Sequence, residues 1–245
     1  MELSKGIIAQ DLFLYLPEYR TFIVSDIHIG YEESLNRRGI LVPRYNYNDL
    51  LLRLEKSLEN IKKRYNIDTI IINGDIVHEF GKINRKEKEL INRFVNFLCK
   101  YGKVMIIEGN HDKALRYVLD RDILIADKII LGKTLIIHGD ELLPRKLLKS
   151  IKTIIIGHEH PAITLGSGSR TEKYKCFLKG KYSGKELIVT PSCNLLIEGT
   201  DILSERVLSP FLKNVSLKNF EVYIVEDKVY DFGKIKNIEK ILDNR

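Results

Sequence analysis

The sequence predicts an α/β fold with two packed sheets, in a single domain spanning residues 1–245. Three observations carry this. Apolar, β-branched runs alternate with amphipathic helical stretches through the first two-thirds of the chain. Strand-like pieces alone fill the last third, residues 162–245. No repeat or low-complexity linker interrupts the 245 residues, of which 44% are hydrophobic, enough for one sizeable core.

Taken in order, residues 12–16 and 21–25 read as two strands joined by a turn at Pro17-Glu18-Tyr19-Arg20. Residues 48–64 carry Leu51, Leu54, Leu58 and Ile61 at helical spacing. An apolar strand over 68–73 ends at Gly74-Asp75. A second amphipathic helix over 84–100 keeps Leu90, Ile91, Phe94, Val95 and Leu98 on its inner side. A strand over 104–108 ends at Gly109-Asn110, and a short helix is expected over 113–119. Residues 128–137 read as a hairpin turning at Leu131-Gly132-Lys133, and 153–156 as the strand feeding Gly157-His158. Residues 162–189 are rich in Gly, Ser and Lys, with β-prone pieces at 175–178 and 186–190. Residues 199–214 read as a loop in which Pro210 prevents a continuous helix. A terminal hairpin is expected around Glu226-Asp227.

Composition narrows the setting. Cys99, Cys176 and Cys193 lie far apart, with no zinc-finger or redox spacing, which predicts a reduced, cytoplasmic location. Residues 1–12 show no apolar stretch with a cleavage site, and no apolar run approaches the ~18 residues of a membrane span. The formal net charge of +7 suits an anionic partner, although most such charges form a solvated surface.

Five short blocks bear the chemistry: Asp26-Ile27-His28, Gly74-Asp75, Gly109-Asn110-His111-Asp112, His138-Gly139-Asp140 and Gly157-His158-Glu159-His160. Each follows an apolar run, so each falls where a strand ends and its loop begins. Asp26 and His28 are two apart, and on an extended strand end such side chains face the same way. One carboxylate and one imidazole can then bind the same ion, and His158 with His160 repeats the spacing. Asp75 is the candidate bridge between two cations, and Asn110 adds a neutral oxygen. Oxygen and imidazole donors without sulfur suit Mn²⁺, Fe²⁺ or Zn²⁺ better than Ca²⁺. Taken alone, an Asp-X-His is usually incidental and a Gly-Asp is usually a turn. The five together, in this order, point to a site for two divalent ions.

With these blocks in place, the chain resembles the calcineurin-like metallophosphoesterases, which read D-x-H, G-D, G-N-H-[DE], H and G-H-x-H. The resemblance implies a four-layer fold: two mixed β-sheets packed as a sandwich and flanked by helices. It implies that Asp26, His28 and His160 bind one ion, that Asp75 bridges, and that Asn110, His138 and His158 bind the other. His111 would stay off the ions and act as the catalytic residue facing the substrate. Manganese is the expected metal, with iron, nickel or zinc as alternatives. A narrower likeness extends to Leu-Pro-Glu-Tyr-Arg at 16–20, residues 25–32, the Arg38-Gly39-Ile40 to Pro43 segment, Phe177-Leu178-Lys179-Gly180 and Pro191-Ser192. These resemble small archaeal and bacterial phosphoesterases often encoded beside a DNA ligase or an Lhr-type helicase. That likeness implies a nucleic-acid substrate, a DNA-repair helicase or ligase as partner, and a homodimer.

The expected reaction is phosphodiester hydrolysis by a hydroxide held between two ions, with His111 stabilising or protonating the departing oxygen. Asp112 is expected to orient the His111 ring, and Asp140 and Glu159 to support the liganding histidines from behind. His78, the sixth histidine, lies three residues after Asp75. It resembles the histidine of Gly-Asp-x-x-His in the nuclease subunit of the double-strand-break repair complex, which implies a substrate-facing place. Arg37, Arg38, Arg44, Lys82, Arg85, Lys113 and Arg116, interspersed with Tyr31, Tyr45 and Tyr47, could track a phosphate backbone or be solvated surface. Two other readings stand beside the lead: a phosphatase or phosphodiesterase of small nucleotides, and a non-catalytic interaction scaffold.

Overall fold

A computed structural model describes residues 1–42, 46–79, 81, 83–144, 146–167 and 170–243. The first sheet has seven strands, β1 (Glu2–Ser4), β2 (Ile7–Gln10), β3 (Phe13–Leu16), β4 (Thr21–Ser25), β5 (Thr69–Asn73), β6 (Lys103–Ile107) and β7 (Leu124–Ala126), in that spatial order. β1 to β4 form an antiparallel meander, while β4 to β7 run parallel. Three helices intervene: α1 (Tyr31–Arg37), α2 (Asn46–Lys62) and α3 (Arg85–Leu98). Leu50, Leu54, Leu58 and Ile61 of α2 are buried at helical spacing in the core that also holds β4 and β5. α3 starts on a capping box, in which the Asn84 side chain accepts from the Glu87 N–H and the Glu87 carboxylate accepts from the Asn84 N–H, each at 2.9 Å.

The second sheet has nine strands. These are β8 (Lys128–Leu131), β9 (Thr134–Ile137), β10 (Thr153–Ile156), β11 (Pro161–Ser167), β12 (Arg170–Tyr182), β13 (Lys185–Val189), β14 (Thr200–Asp201), β15 (Glu221–Val225) and β16 (Val229–Lys234). β10 lies parallel to both β9 and β13, with Ile155 opposite Ile136 on one side and Ile188 on the other. That row faces the first sheet and joins its core. Their neighbours Leu135, Ile137, Ile154, Ile156, Leu187 and Val189 point the other way. There they bury against Phe211 and Leu212 of α4 (Pro210–Lys213) and Ile235 and Ile238 of α5 (Ile235–Asp243). The result is helices, sheet, sheet, helices.

Several elements depart from the sequence reading. The helix expected over 113–119 is only a 3₁₀ turn, Leu115–Tyr117. No continuous helix spans 199–214, as expected, but Pro210 begins the four-residue α4: it sits at the first helical position, where its missing N–H has no intrahelical role, and Ser209 caps it. β1, β2, β7, α1 and α5 were not read from the sequence. Pro43, Arg44, Tyr45 and Lys82 lie outside the described residues. Among the described residues no helix is long and apolar enough to cross a membrane.

Ile155 fills the interface between the sheets. We expect Ile155→Ala to lower unfolding free energy by roughly 2–5 kcal/mol, and Leu52→Ala, on the exposed face of α2, by under about 0.5 kcal/mol. Denaturant titration of both variants checks this.

Candidate metal centre

The C-terminal ends of parallel strands from both sheets meet at one place. β4, β5 and β6 deliver Asp26, Asp75 and Asn110 from the first sheet. β9 and β10 deliver His138, His158 and His160 from the second. Open parallel sheets place sites at such carboxyl ends because chains diverge there and leave backbone N–H groups for polar partners.

The geometry of Asp26 and His28 differs from the extended strand end expected of them. β4 stops at Ser25, and both residues are left-handed, with φ of 56° and 50°. Asp75, His158 and His160 share that conformation, at 47°, 62° and 49°. A left-handed non-glycine residue costs about 1–2 kcal/mol. Five of them at one seam mark backbone held by its surroundings.

The side chains converge. His28 Nε2 lies 3.3 Å from His160 Nε2, and His160 Nε2 lies 3.3 Å from Asp26 Oδ1. Asp75 Oδ2 is 3.4 Å from His138 Nε2, 3.8 Å from His28 Nε2 and 3.9 Å from His111 Nε2. His138 Nε2 in turn is 3.1 Å from Asn110 Oδ1. Two donors bound about 2.1 Å from one ion stand roughly 3.0–3.5 Å apart, so these separations suit shared cations. Three overlapping sets bring donor atoms close enough to hold an ion: Asp26, His28 and His160; His28, Asp75 and His111; Asp75, His138 and His158. Asp75 is common to two of them. All seven side chains expected as ligands are therefore brought together, and His111 stands nearer the cluster than a purely substrate-facing residue would.

Burial and charge match this donor set. Asp26 and His138 are wholly buried, and Asp75 is 2% exposed. Burial opposes ionisation of Asp75, but the hydrogen bond and charge of His138 outweigh it and hold the carboxyl well below the usual range. Burial likewise opposes a proton on His138, yet the Asp75 hydrogen bond and the Asp26 and Asp75 charges raise it to about 9. Burial, then His160, push His28 down to about 3, which keeps its ring neutral. Burial also lowers His158, with His138 adding to the effect. His28 Nδ1 and both side-chain polar atoms of Asn73 are buried with no hydrogen-bond partner among the described residues. The seam is thus buried and polar, lined by oxygen and imidazole donors of the kind that take up a divalent cation.

Backbone amides fasten the carboxylates. The His158 N–H donates to Asp26 at 3.1 Å, which joins the second sheet to the first. The His111 N–H donates to Asp75 Oδ1 at 3.1 Å. A Cβ on Gly157 would collide with the Asp26 carboxylate, and one on Gly109 with Asp75. Those glycines are required by close approach rather than by turn geometry.

Asp112 does not take the role expected of it. Its carboxylate accepts from three backbone N–H groups, those of Ile76 at 2.9 Å, Val77 at 3.1 Å and Gly109 at 3.1 Å. It ties the Asp75 loop to the Asn110 loop. Burial and the nearby Asp75 raise it to about 7 against those donors. The His111 ring is instead held through Nδ1, which lies 2.5 Å from the His78 carbonyl oxygen. Glu159 accepts from the Leu208 and Ser209 N–H groups at 2.9 and 2.7 Å, and Ser209 Oγ donates to the Gly139 carbonyl at 2.7 Å. Burial raises Glu159 to about 7. Asp140, half-buried, acts on His138 and His158 through its charge. His78 packs edge-on against Tyr31 and His28 and stacks 6.1 Å from His111; burial and His111 lower it to about 4.

Much of the expected basic rim is already paired. Arg37 meets Glu79 at 2.6 Å, Arg85 meets Glu89, and Lys113 and Arg116 meet Glu108. Tyr47 is buried, with its hydroxyl donating to the Leu90 carbonyl, and cannot stack on a base. The sequence reading missed Asn194, Ser209 and Lys175 around the site. Their signal was weak: Pro191-Ser192-Cys193-Asn194 after a strand reads as an ordinary turn.

The model of the calcineurin-like phosphoesterase family matches residues 19–197, and the chain belongs to that family. Membership implies divalent metal ions. The nuclease MPE of Pseudomonas putida shares 19% identity over 95% of this chain and 98% of its own, with a TM-score of 0.63, a likeness of fold. A Vps29 mutant from Entamoeba histolytica overlaps more loosely, at 16% identity, 87% and 99% coverage and a TM-score of 0.35. Vps29 of Cryptosporidium parvum is similar, at 15% identity, 87% and 97% coverage and a TM-score of 0.39. No curated protein matches the chain.

We expect Gly157→Ala, which forces the Asp26 carboxylate aside, to weaken Mn²⁺ binding by about tenfold or more, while Gly184→Ala, whose added Cβ meets nothing, leaves it unchanged. Calorimetric titration of the metal-free protein separates the two.

Proposed function

We propose that this protein is a phosphodiesterase that uses two divalent cations, Mn²⁺ in the first place, and acts on nucleic acid. The observation that carries the reading is Asp75. This buried carboxylate is common to two donor sets, one with His28 and His111 and the other with His138 and His158; His28 also belongs to the set of Asp26 and His160, and Asn110 lies against His138. Bound in these sets, divalent cations would supply Lewis-acid activation of water and of the phosphoryl oxygens.

The chain's own residues do the rest. The carboxylates of Asp26 and Asp75, fixed by the His158 and His111 amides, would hold the cations. His111 Nδ1–H donates a hydrogen bond to the His78 carbonyl, which fixes the ring and turns Nε2 toward Asp75. Nε2 is then the ring atom through which a proton would pass to the departing oxygen. His78, stacked beside His111 and edge-on to Tyr31, forms the adjoining wall, where it would touch the strand that continues from the scissile phosphate.

The neighbour of like fold that is named a nuclease supports a phosphodiester over a phosphomonoester substrate, as does the formal net charge of +7. The paired arginines temper the second argument, since a guanidinium held by a carboxylate neutralises less phosphate.

Turnover of an aryl phosphodiester, an aryl phosphomonoester and single-stranded DNA with added Mn²⁺ tests this. We expect the diester and the DNA to be cleaved, and DNA binding to weaken steeply as salt rises. Cleavage of the monoester alone would replace this reading with a phosphatase. His111→Ala should retain metal and lose roughly 10²–10⁴ in turnover, whereas Asp75→Ala should lose metal as well. An unchanged rate in His111→Ala would remove its acid role.

A further inference from the structure

Three consecutive carbonyls of the first motif are claimed by a segment far away in sequence. Ser192 Oγ donates to the Asp26 carbonyl at 2.7 Å. Asn194 Nδ2 donates to the Ile27 carbonyl at 3.0 Å and the His28 carbonyl at 3.2 Å. On the opposite side of the peptide chain, the Asp26 and His28 N–H groups donate to the carbonyls of Gly74 and Asp75. The backbone that carries Asp26 and His28 is gripped from both sides.

The gripping segment is itself anchored. The Cys193 N–H donates to the Ser25 carbonyl at 3.0 Å, and the Asn194 N–H to Ser192 Oγ at 3.1 Å. Asn194 Oδ1 accepts from Asn46 Nδ2 at 3.2 Å and from the Leu196 N–H at 3.0 Å, so the amide uses its full hydrogen-bonding capacity. Behind it, the Lys175 ammonium donates to the carbonyl of Ser192 at 2.8 Å and to that of Asn194. Among the described residues no carboxylate lies within ion-pair distance of Lys175, and burial pushes its ammonium down to about 8. Lysine normally keeps its charge in water. This one spends it on two carbonyls of a single turn.

Asp26 and His28 are left-handed; Asp and His enter that region more readily than most residues, yet it stays a minority conformation for both. Fixing the carbonyl direction at each residue is what prevents relaxation to an extended chain. We propose that Ser192 and Asn194, with Lys175 behind them, are positioning residues for the first cation: they hold Asp26 and His28 in the strained backbone that aims both side chains at one ion. The inference rests on the two-cation reading of the cluster. It assigns a role to side chains that approach neither cation nor substrate.

The test uses the full-length, metal-free chain and Mn²⁺ alone, followed by calorimetry and by electron paramagnetic resonance. Wild-type protein should bind two equivalents and show the exchange-coupled signal of a manganese pair. In Asn194→Ala, Ser192→Ala and Lys175→Met, one equivalent should weaken about 10- to 100-fold and the other should stay within about threefold. At equal loading the coupled signal should give way to that of isolated ions. Ser192→Thr, which keeps the hydroxyl, should restore the wild-type titration. Should Asn194→Ala fail to fold by thermal melting of the metal-free protein, the two Ser192 variants carry the test. Equal weakening of both equivalents would reduce the segment to a general structural role and overturn the proposal, as would unaltered binding in Ser192→Ala or failure of Ser192→Thr to rescue. Wild-type protein that takes up no manganese would sink the two-cation reading itself, an outcome distinct from variants that match a two-ion wild type.

Discussion

Two carboxylates, Asp26 and Asp75, sit almost without solvent where the ends of two sheets face one another. An ionised carboxylate out of water is costly unless charge and hydrogen bonds surround it. The organisation of this molecule follows from meeting that cost. Each carboxylate receives a backbone N–H from a neighbouring loop, His158 to Asp26 and His111 to Asp75. Imidazoles fill the remaining directions, and the Asp75 hydrogen bond with the Asp26 and Asp75 charges favours a proton on His138. Any divalent cation entering this seam would displace protons and balance the carboxylates in their place.

Such an arrangement needs a backbone that does not drift. Five of the converging residues are left-handed, and each is held from outside its own loop. Asp112 ties the amides of Ile76, Val77 and Gly109, Glu159 ties those of Leu208 and Ser209, and Ser192 with Asn194 holds the carbonyls of 26–28. The last two locks involve residues beyond Val189. The C-terminal third, which carries none of the five motif blocks, thus contributes rigidity to a site whose donors all lie earlier in the chain. Rigid support from packed elements is what keeps donors at ligand spacing.

Most regular elements were legible because their cause is local. The apolar run of β10 and the helical spacing of Leu54, Leu58 and Ile61 in α2 follow from side-chain pattern over a few neighbouring residues, although Leu50 rather than Leu51 fills the buried position. What was misread depends on context. Within the stretch read as a loop, Pro210 both interrupts a continuous helix and, with Ser209 as cap, begins the four-residue α4. Tyr47 reads as a stacking aromatic, but α2 turns it inward to the Leu90 carbonyl. Arg37 and Arg116 read as free cations until folding sets Glu79 and Glu108 beside them.

The candidate site divides the same way. From its residues alone, the chain disclosed which donors exist, that each stands just past a strand, and that their chemistry is oxygen and imidazole without sulfur. Only the tertiary structure decided their aim: that Asp26 and His28 leave the extended conformation, that Asp75 is shared between two donor sets, that Asp112 serves amides rather than an imidazole, and that Asn194 reaches back across 166 positions to the His28 carbonyl. The reason is physical. Residue type and strand periodicity are properties of a few neighbouring peptides, whereas a strained dihedral or a buried hydrogen bond persists only when distant parts of the chain compensate it.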